Sequence, residues 1–539
     1  MKKLSLLMLA VAFSVGMVYA QNEMDAYRFS KNDLTGTARS VAMGGAFGAL
    51  GGDISGIAIN PAGIGVYQKS EIVTTMNFQN TKSQGQLNIG KQNENKFTFA
   101  FDNLAFVGTF PLYDDVVPFL NFGFSYNRLK SFDRKYAVMG DNTRSLTGYM
   151  AGRANFNEVP ASRLSLKDND FWGVWDSQDW LTVLGYNSFL INEGSNGGSY
   201  SPAISNNVSN DLFVEEKGYI SSYDFNIGTS FSDIVSVGAT ISMTDINYRL
   251  YSQYTEYMPD GNGALADNRR FDLYNWNRTD GTGWQVKAGV IIKPVQEFRI
   301  GIAYHSPTWY KMTDHFAADL SHNLSGVSSS SLDPDYVAGT VKSYDGREDA
   351  VFDYKLRTPD KWTFSMAGVI GTKAIISADY ELTNYKNNMK LFNRNSKAFS
   401  PDPNEYIKND FKMASALRVG LEYRFTSKFS GRVGYSWVQS PFDSKIKNNG
   451  NEVTTDPRPV TQYAFDADTH YITYGLGYQF IPERRGKSDW SNGYFYTDVA
   501  FIMKSQKADL YSFAGADKAS LKTNSFQGLL TLGYKFSMN

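Results

Sequence analysis

The chain has 539 residues, no cysteine and a formal net charge of −1, with 15% aromatic residues and a mean hydropathy of −0.37. The missing cysteines exclude disulfide frameworks and thiolate chemistry, and the balanced charge argues against a nucleic-acid partner. The polar mean does not exclude a membrane β-barrel, in which only alternate residues meet lipid.

Residues 1–20 read as a signal peptide: Lys2 and Lys3 form the charged start, Leu4 to Met17 the apolar stretch, and Val18-Tyr19-Ala20 the cleavage site, leaving Gln21 as the first mature residue. No cysteine follows it, so lipoprotein anchoring is not expected. Beyond the leader no run approaches the ~20 apolar residues a membrane helix needs. Insertion into a membrane must therefore be by strands.

Residues 21–68 form a separate unit. Gly36 to Tyr67 carries nine glycines in 32 positions, together with Ile54, Ile57, Ile59, Ile64 and Val66. So many glycines cost entropy that an enclosing wall has to offset, and the isoleucines are wrong for a polar linker. Ala38, Val41, Ala42, Ala46 and Ala49 fit one short helix broken at Gly51-Gly52, and Asn60-Pro61 signals a turn. The expectation is a plug inside a barrel.

The motif Ala38-Arg39-x-x-Ala42-Met43-Gly44-Gly45-Ala46-Phe47, followed by Asn60-Pro61-Ala62-Gly63, resembles the FadL/TodX family of outer-membrane transporters for long-chain fatty acids and other hydrophobic compounds. The resemblance implies an N-terminal hatch, with Gly44, Gly45, Ala46, Phe47, Asn60, Pro61, Ala62 and Gly63 as its motif residues, plugging a 14-stranded barrel. Gly51-Gly52-Asp53 departs from the pattern, where a small residue followed by acidic ones is expected.

From residue 69 to 539 a period of two recurs. Leu417, Val419, Leu421, Tyr423 and Phe425 alternate with Arg418, Gly420, Glu422 and Arg424, so one strand face is apolar and the other charged. The apolar faces are aromatic and end in Tyr or Trp, as for a lipid-facing wall with interfacial girdles. About fourteen strands are predicted, over 70–90, 94–112, 117–139, 217–231, 234–257, 270–293, 297–320, 348–371, 373–393, 411–425, 428–440, 468–482, 491–513 and 521–536. Short and long connections alternate, with long loops near 140–216, 258–268, 321–348, 394–411 and 441–468. The fold class is all-β: a transmembrane antiparallel β-barrel with a hatch in its lumen. The terminal strand, ending at Phe536, looks like the signal read by the barrel-assembly machinery.

In the loop at 140–216, Phe171, Trp172, Trp175, Trp180, Leu181 and Leu184 have helical spacing. Either they form an apolar landing groove for a ligand or they pack the loop onto the barrel mouth. Gly123 and Pro307 are candidate kinks in the wall. The four histidines, His305, His315, His322 and His470, show no metal-ligand spacing, so no metal and no cofactor is expected. No nucleophile motif suggests an enzyme. The expected role is passive uptake of a fatty-acid-like hydrophobic small molecule by a monomer surrounded by outer-membrane lipid in a Gram-negative bacterium. The alternatives are a haem-binding receptor, tested at His305 and His470, and a non-transporting adhesive surface barrel.

Overall fold

The computed structural model describes residues 22–537 apart from 89, 167–173, 175–177, 195–196, 205, 260–264, 323–349, 398–401, 444–459 and 481–492. The signal peptide and three of the loop aromatics, Phe171, Trp172 and Trp175, lie outside the described residues.

Alternation along the chain produces fourteen wall strands among the described residues. They are β1 (Ser70–Gln86), β2 (Gln92–Pro111), β3 (Phe119–Ser131, then Arg134–Arg144), β4 (Asn206–Phe231), β5 (Val235–Pro259), β6 (Leu265–Val295) and β7 (Phe298–His305, then Trp309–His322). There follow β8 (Ala350–Arg357, then Lys361–Ile370), β9 (Ala374–Asn384, then Lys390–Asn393), β10 (Met413–Arg424), β11 (Phe429–Val438), β12 (Tyr463–Phe480), β13 (Tyr494–Tyr511) and β14 (Ala519–Phe536). Each pairs antiparallel with its neighbour in sequence, and β14 pairs back onto β1, so the sheet closes on itself. Closure leaves no edge for lipid to meet.

The pleat sorts the side chains. Phe99, Leu104, Phe106, Phe225, Ile241, Trp284, Phe364, Leu421 and Ile472 are exposed on the outside, whereas Asn77, Asn103, Asp224, Lys287, Asp379 and Glu422 are buried within. No helix among the described residues is long and apolar enough to cross a membrane. Among the described residues it is the outward face of the wall strands that is apolar enough to meet hydrocarbon.

The lumen is filled by residues 22–67: α1 (Glu23–Ser30), α2 (Ala38–Ala42), α3 (Ile54–Ile59) and a 3-10 turn over Pro61–Val66. The single alanine helix expected through Ala49 stops at Ala42, because Gly44 and Gly45 take φ of +67° and +75° and turn the chain onto the wall. At the barrel end away from the termini, Tyr27 of α1 packs in a ring cluster with Tyr385, Phe411 and Phe442, while Phe29 meets Phe132 and Tyr248. Here the connection between β3 and β4 carries α4 (Leu146–Phe156), α5 (Ala161–Leu164) and α6 (Trp180–Asn187).

That connection is shorter than the predicted 140–216, since β3 continues to Arg144 and β4 starts at Asn206. The missed stretch of β4 carries Asp211, Glu215 and Glu216. It extends the wall where outward side chains no longer touch hydrocarbon, so the apolar alternation fades although Val208, Leu212 and Val214 stay buried.

Candidate functional site: the hatch seat and the interrupted wall

The hatch motif sits on the wall through backbone. On the inner surface Gly420 of β10 pairs with Gly434 of β11, and Gly434 with Thr473 of β12. A Cβ at Gly420 or Gly434 would overlap the backbone of Met43 and Gly44. With no side chains between, Gly44 N donates to Thr473 Oγ1 (3.1 Å), and that hydroxyl donates to Ala42 O (3.0 Å). A second smooth row, Gly228, Gly238 and Gly289, crosses β4, β5 and β6 in register. Pro61 and Asn60 press against it. Asn60 Nδ2 donates to Gly48 O (2.7 Å) and Val290 O (3.3 Å), and Asn60 Oδ1 accepts from Ala62 N (3.1 Å). One buried amide thus ties the turn both to the first motif and to the wall.

Charged contacts complete the seat. Asp379 Oδ2 accepts from Phe47 N and Gly48 N, each at 3.0 Å. Arg39 Nε pairs with Glu422 at 3.0 Å, and Arg432 Nε holds the same carboxylate at 2.7 Å. Lys504 Nζ reaches Asp33 at 2.5 Å. Burial opposes ionisation of Asp33, but the ammonium groups of Lys504, Lys130 and Lys31 outweigh it and hold this carboxyl below its ordinary range. Sequence reasoning named the hatch motif but missed its wall partners. Isolated glycines within strands are their trace in the sequence, but they line up into a seat only once the strands are in register.

Gly123 does not kink the wall; it runs in register with Val107 and Asn226 and faces Ile64 of the hatch. The third strand instead breaks at Phe132–Asp133. β2 and β3 pair only over Asn103–Pro111, and the far segment of β3 pairs with β4 alone. Among the described residues, Gln92 to Asp102 of β2 therefore has β1 hydrogen-bonded on one side and no strand hydrogen-bonded on the other. The far segment of β3 nevertheless crosses close by, where Gln92 Nε2 reaches Met139 and Asn88 bonds Asp141. This interruption lies level with the exposed Phe97, Phe99 and Phe101. A salt bridge crosses it, Lys96 Nζ to Glu215 Oε1 at 2.7 Å, and Lys217 reaches the same carboxylate at 3.2 Å. Pro307 lies in the three-residue break between the two segments of β7.

At the break in β3 is a lumenal cavity of about 130 Å³, lined by α1, Gln79, Thr81, Lys130, Phe132, Arg134, Glu216 and Asp466. Its charges are largely paired: Arg28 with Asp25, Arg134 with Glu216, and Lys31 with Asp466 at 2.9 Å. Lys130 Nζ donates to the Arg28 carbonyl at 2.5 Å. Trp180, Leu181 and Leu184 are buried, with Trp180 centred 5.0 Å from Phe316, so these three pack the loop onto the mouth rather than present a groove. The two histidines of the haem alternative point opposite ways. His305 Nε2 bonds Ile59 O at 2.9 Å inside, whereas the exposed His470 meets Tyr435 OH at 2.9 Å outside.

The sequence pattern of the family described as outer membrane protein transport protein (OMPP1/FadL/TodX) matches residues 217–526, more than half of the 539. The chain belongs to this family. The matched stretch begins inside β4 and does not include the hatch. No curated protein sequence matches the chain. Among solved structures, a Pseudomonas aeruginosa FadL homologue is similar with a TM-score of 0.52 at 13% identity, covering 94% of this chain and 99% of that one. The P. putida toluene transporter TodX (TM-score 0.49, 12% identity, 94% and 100% covered) and the Ralstonia pickettii toluene transporter TbuX (0.48, 14%, 94% and 99%) are also similar. As a FadL/TodX family barrel, the protein resides in the outer membrane of a Gram-negative bacterium.

Proposed function

We propose that this FadL/TodX family member passively admits hydrophobic small molecules, without catalysis and as a monomer, and that its ligands are amphiphiles of the fatty-acid kind rather than bare hydrocarbons. The observation carrying this reading is the interrupted β2–β3 ladder with a lumenal cavity at the break in β3. A greasy molecule crosses the polar lipopolysaccharide layer poorly; once in the lumen, it can leave sideways into lipid at the level of Phe97 to Phe101 without crossing the hatch. The cavity is lined by as many carboxylates as cations, but Lys130 bonds the Arg28 carbonyl rather than a carboxylate, so it is the cation that can meet an anionic head, which toluene lacks. At about 130 Å³ it is smaller than the ~300 Å³ at which ligand pockets begin. Admission therefore needs α1 or the far segment of β3 to give way.

Uptake of labelled oleate and labelled toluene is compared in cells with and without the gene, alongside mass spectrometry of lipid co-purified from detergent. The expected result is gene-dependent oleate uptake and a bound acyl chain. Toluene uptake alone would overturn the amphiphile assignment. Uptake of neither, with the barrel folded, would overturn transport and favour the adhesive reading.

A further inference from the structure

Above the membrane band, the outer surface of β4, β5 and β6 carries an arrangement that passage through the lumen does not use. Lys217 lies directly opposite Arg249, and Arg249 directly opposite Arg278, so three cations share one row of the sheet. All three are exposed. Like charges placed opposite one another destabilise a sheet. Glu215 serves Lys217, and Asp280 serves Arg278 at 2.6 Å, but Arg249 between them has no carboxylate within ion-pair distance among the described residues.

One step farther out the surface turns aromatic. Tyr251 lies opposite Trp276, with ring centres 5.8 Å apart; Phe213 adjoins Tyr251 at 6.4 Å, and Tyr274 stacks with Trp276 at 6.1 Å. Trp276 is 44% exposed.

These rings stand outside the hydrocarbon. From Ile292 to Trp284 the outward face of β6 is apolar, and its eight steps of 3.3 Å at a tilt near 40° span roughly 20 Å, close to the ~25 Å apolar band of such barrels. Counting Trp276 as lipid-facing would stretch the band to roughly 40 Å and place Asp280 and Arg278 within it. An aromatic patch held in water calls for a cover, and a cation row calls for anions.

We propose that this face is a docking site for lipopolysaccharide. Phosphate and acidic sugar groups of the inner core neutralise Arg249 and bridge to the exposed Lys217 and Arg278 beside it, which each share a carboxylate already. The C–H faces of neighbouring sugars lie on Tyr251 and Trp276. The acyl chains follow the apolar band below, past Trp284 and Met243. Charge complementarity selects this occupant over a zwitterionic lipid, and the height of the row above the band selects it over a phospholipid, whose headgroup ends lower.

The test uses the full mature protein in detergent, with purified lipopolysaccharide, the same material dephosphorylated, phosphatidylglycerol, and inorganic phosphate as separate probes. Intact lipopolysaccharide should bind about tenfold more tightly than the dephosphorylated form, and the Arg249→Gln/Arg278→Gln double variant should lose a similar factor. Trp276→Ala should weaken binding of both forms. Folding is read from heat-shifted migration on a gel; if the double variant does not fold, the intact-versus-dephosphorylated comparison on the unaltered protein decides. Equal binding of the two forms, phosphatidylglycerol or inorganic phosphate binding as tightly as lipopolysaccharide, or a folded double variant that binds unchanged would each overturn the assignment.

Discussion

Gly434 shows what a single missing side chain does in this barrel. It lies on the inner wall, where Gly44 of the hatch comes so close that a Cβ would fall 2.1 Å from its backbone nitrogen. Backbone cannot swing aside as a flexible side chain can, so any larger residue must push the turn at Met43–Gly45 off its seat. That turn would then lose the bonds from Gly44 N to Thr473 and from Thr473 to Ala42 O. Overpacking of this kind costs about 1–3 kcal/mol. We expect Gly434→Val to leave the barrel folded but make the segment around residues 36–67 sensitive to added protease. Gly368→Val, where the new Cβ meets nothing within 4 Å, should not. Equal resistance of the two variants would mean that the hatch is held by its charged contacts alone.

Among the elements, β3 carries the break on which the proposed exit rests, and its sequence concealed that break. Glycine and proline are the residues that flag a bend, so Gly123 and Pro307 stood out; Phe132 and Asp133, where β3 breaks, contain neither. The break is set by partners distant in sequence: Asp102 of β2 bulges out of register with β1, and Lys96 reaches across to Glu215 of β4. The same limit hid the hatch seat. Gly228, Gly238 and Gly289 form a row only once three strands are in register, and no local window contains that information. By contrast, the strands within the lipid band were legible, because there the alternation of apolar and polar residues follows directly from the pleat. The hatch motif was legible through its resemblance to the family's pattern, and the plug through a glycine-rich stretch whose isoleucines do not suit a linker. If the interruption is the exit, the salt bridge across it restrains opening. A partly exposed pair contributes about 0.5–1 kcal/mol, so Lys96→Gln should raise initial oleate uptake roughly two- to fivefold. Unchanged or slower uptake with normal protein levels would place the exit elsewhere.

At the scale of the whole molecule, wall and hatch are distinct in their bonding. Strands β14 and β1 close the cylinder through seventeen register pairs, none of which involves residues 22–67. The inner wall also pairs many of its own charges: Arg432 with Glu422 and Asp498, Arg418 with Glu381 at 2.8 Å, and Lys287 with Asp224 at 3.4 Å. Removing the hatch strips Arg39 from Glu422 and Lys504 from Asp33, but it admits water that can solvate whatever is left. It also uncovers the apolar inner surfaces at Val73, Ala105 and Val107 and at Ala500, Ile502 and Leu529, so some stability is lost. Since the closed ladder does not depend on those contacts, we expect a variant lacking residues 22–67, with its leader retained, to reach the outer membrane as a heat-modifiable barrel. The intact protein should pass little ionic current in a planar bilayer, because the hatch spans the lumen from the β10–β12 side to the β4–β6 side. The deletion should open a steady conductance and sensitise cells to bulky antibiotics. A folded deletion variant that stays non-conducting would mean the wall strands close the passage themselves, and the hatch would then be a ligand-sensing element rather than a plug.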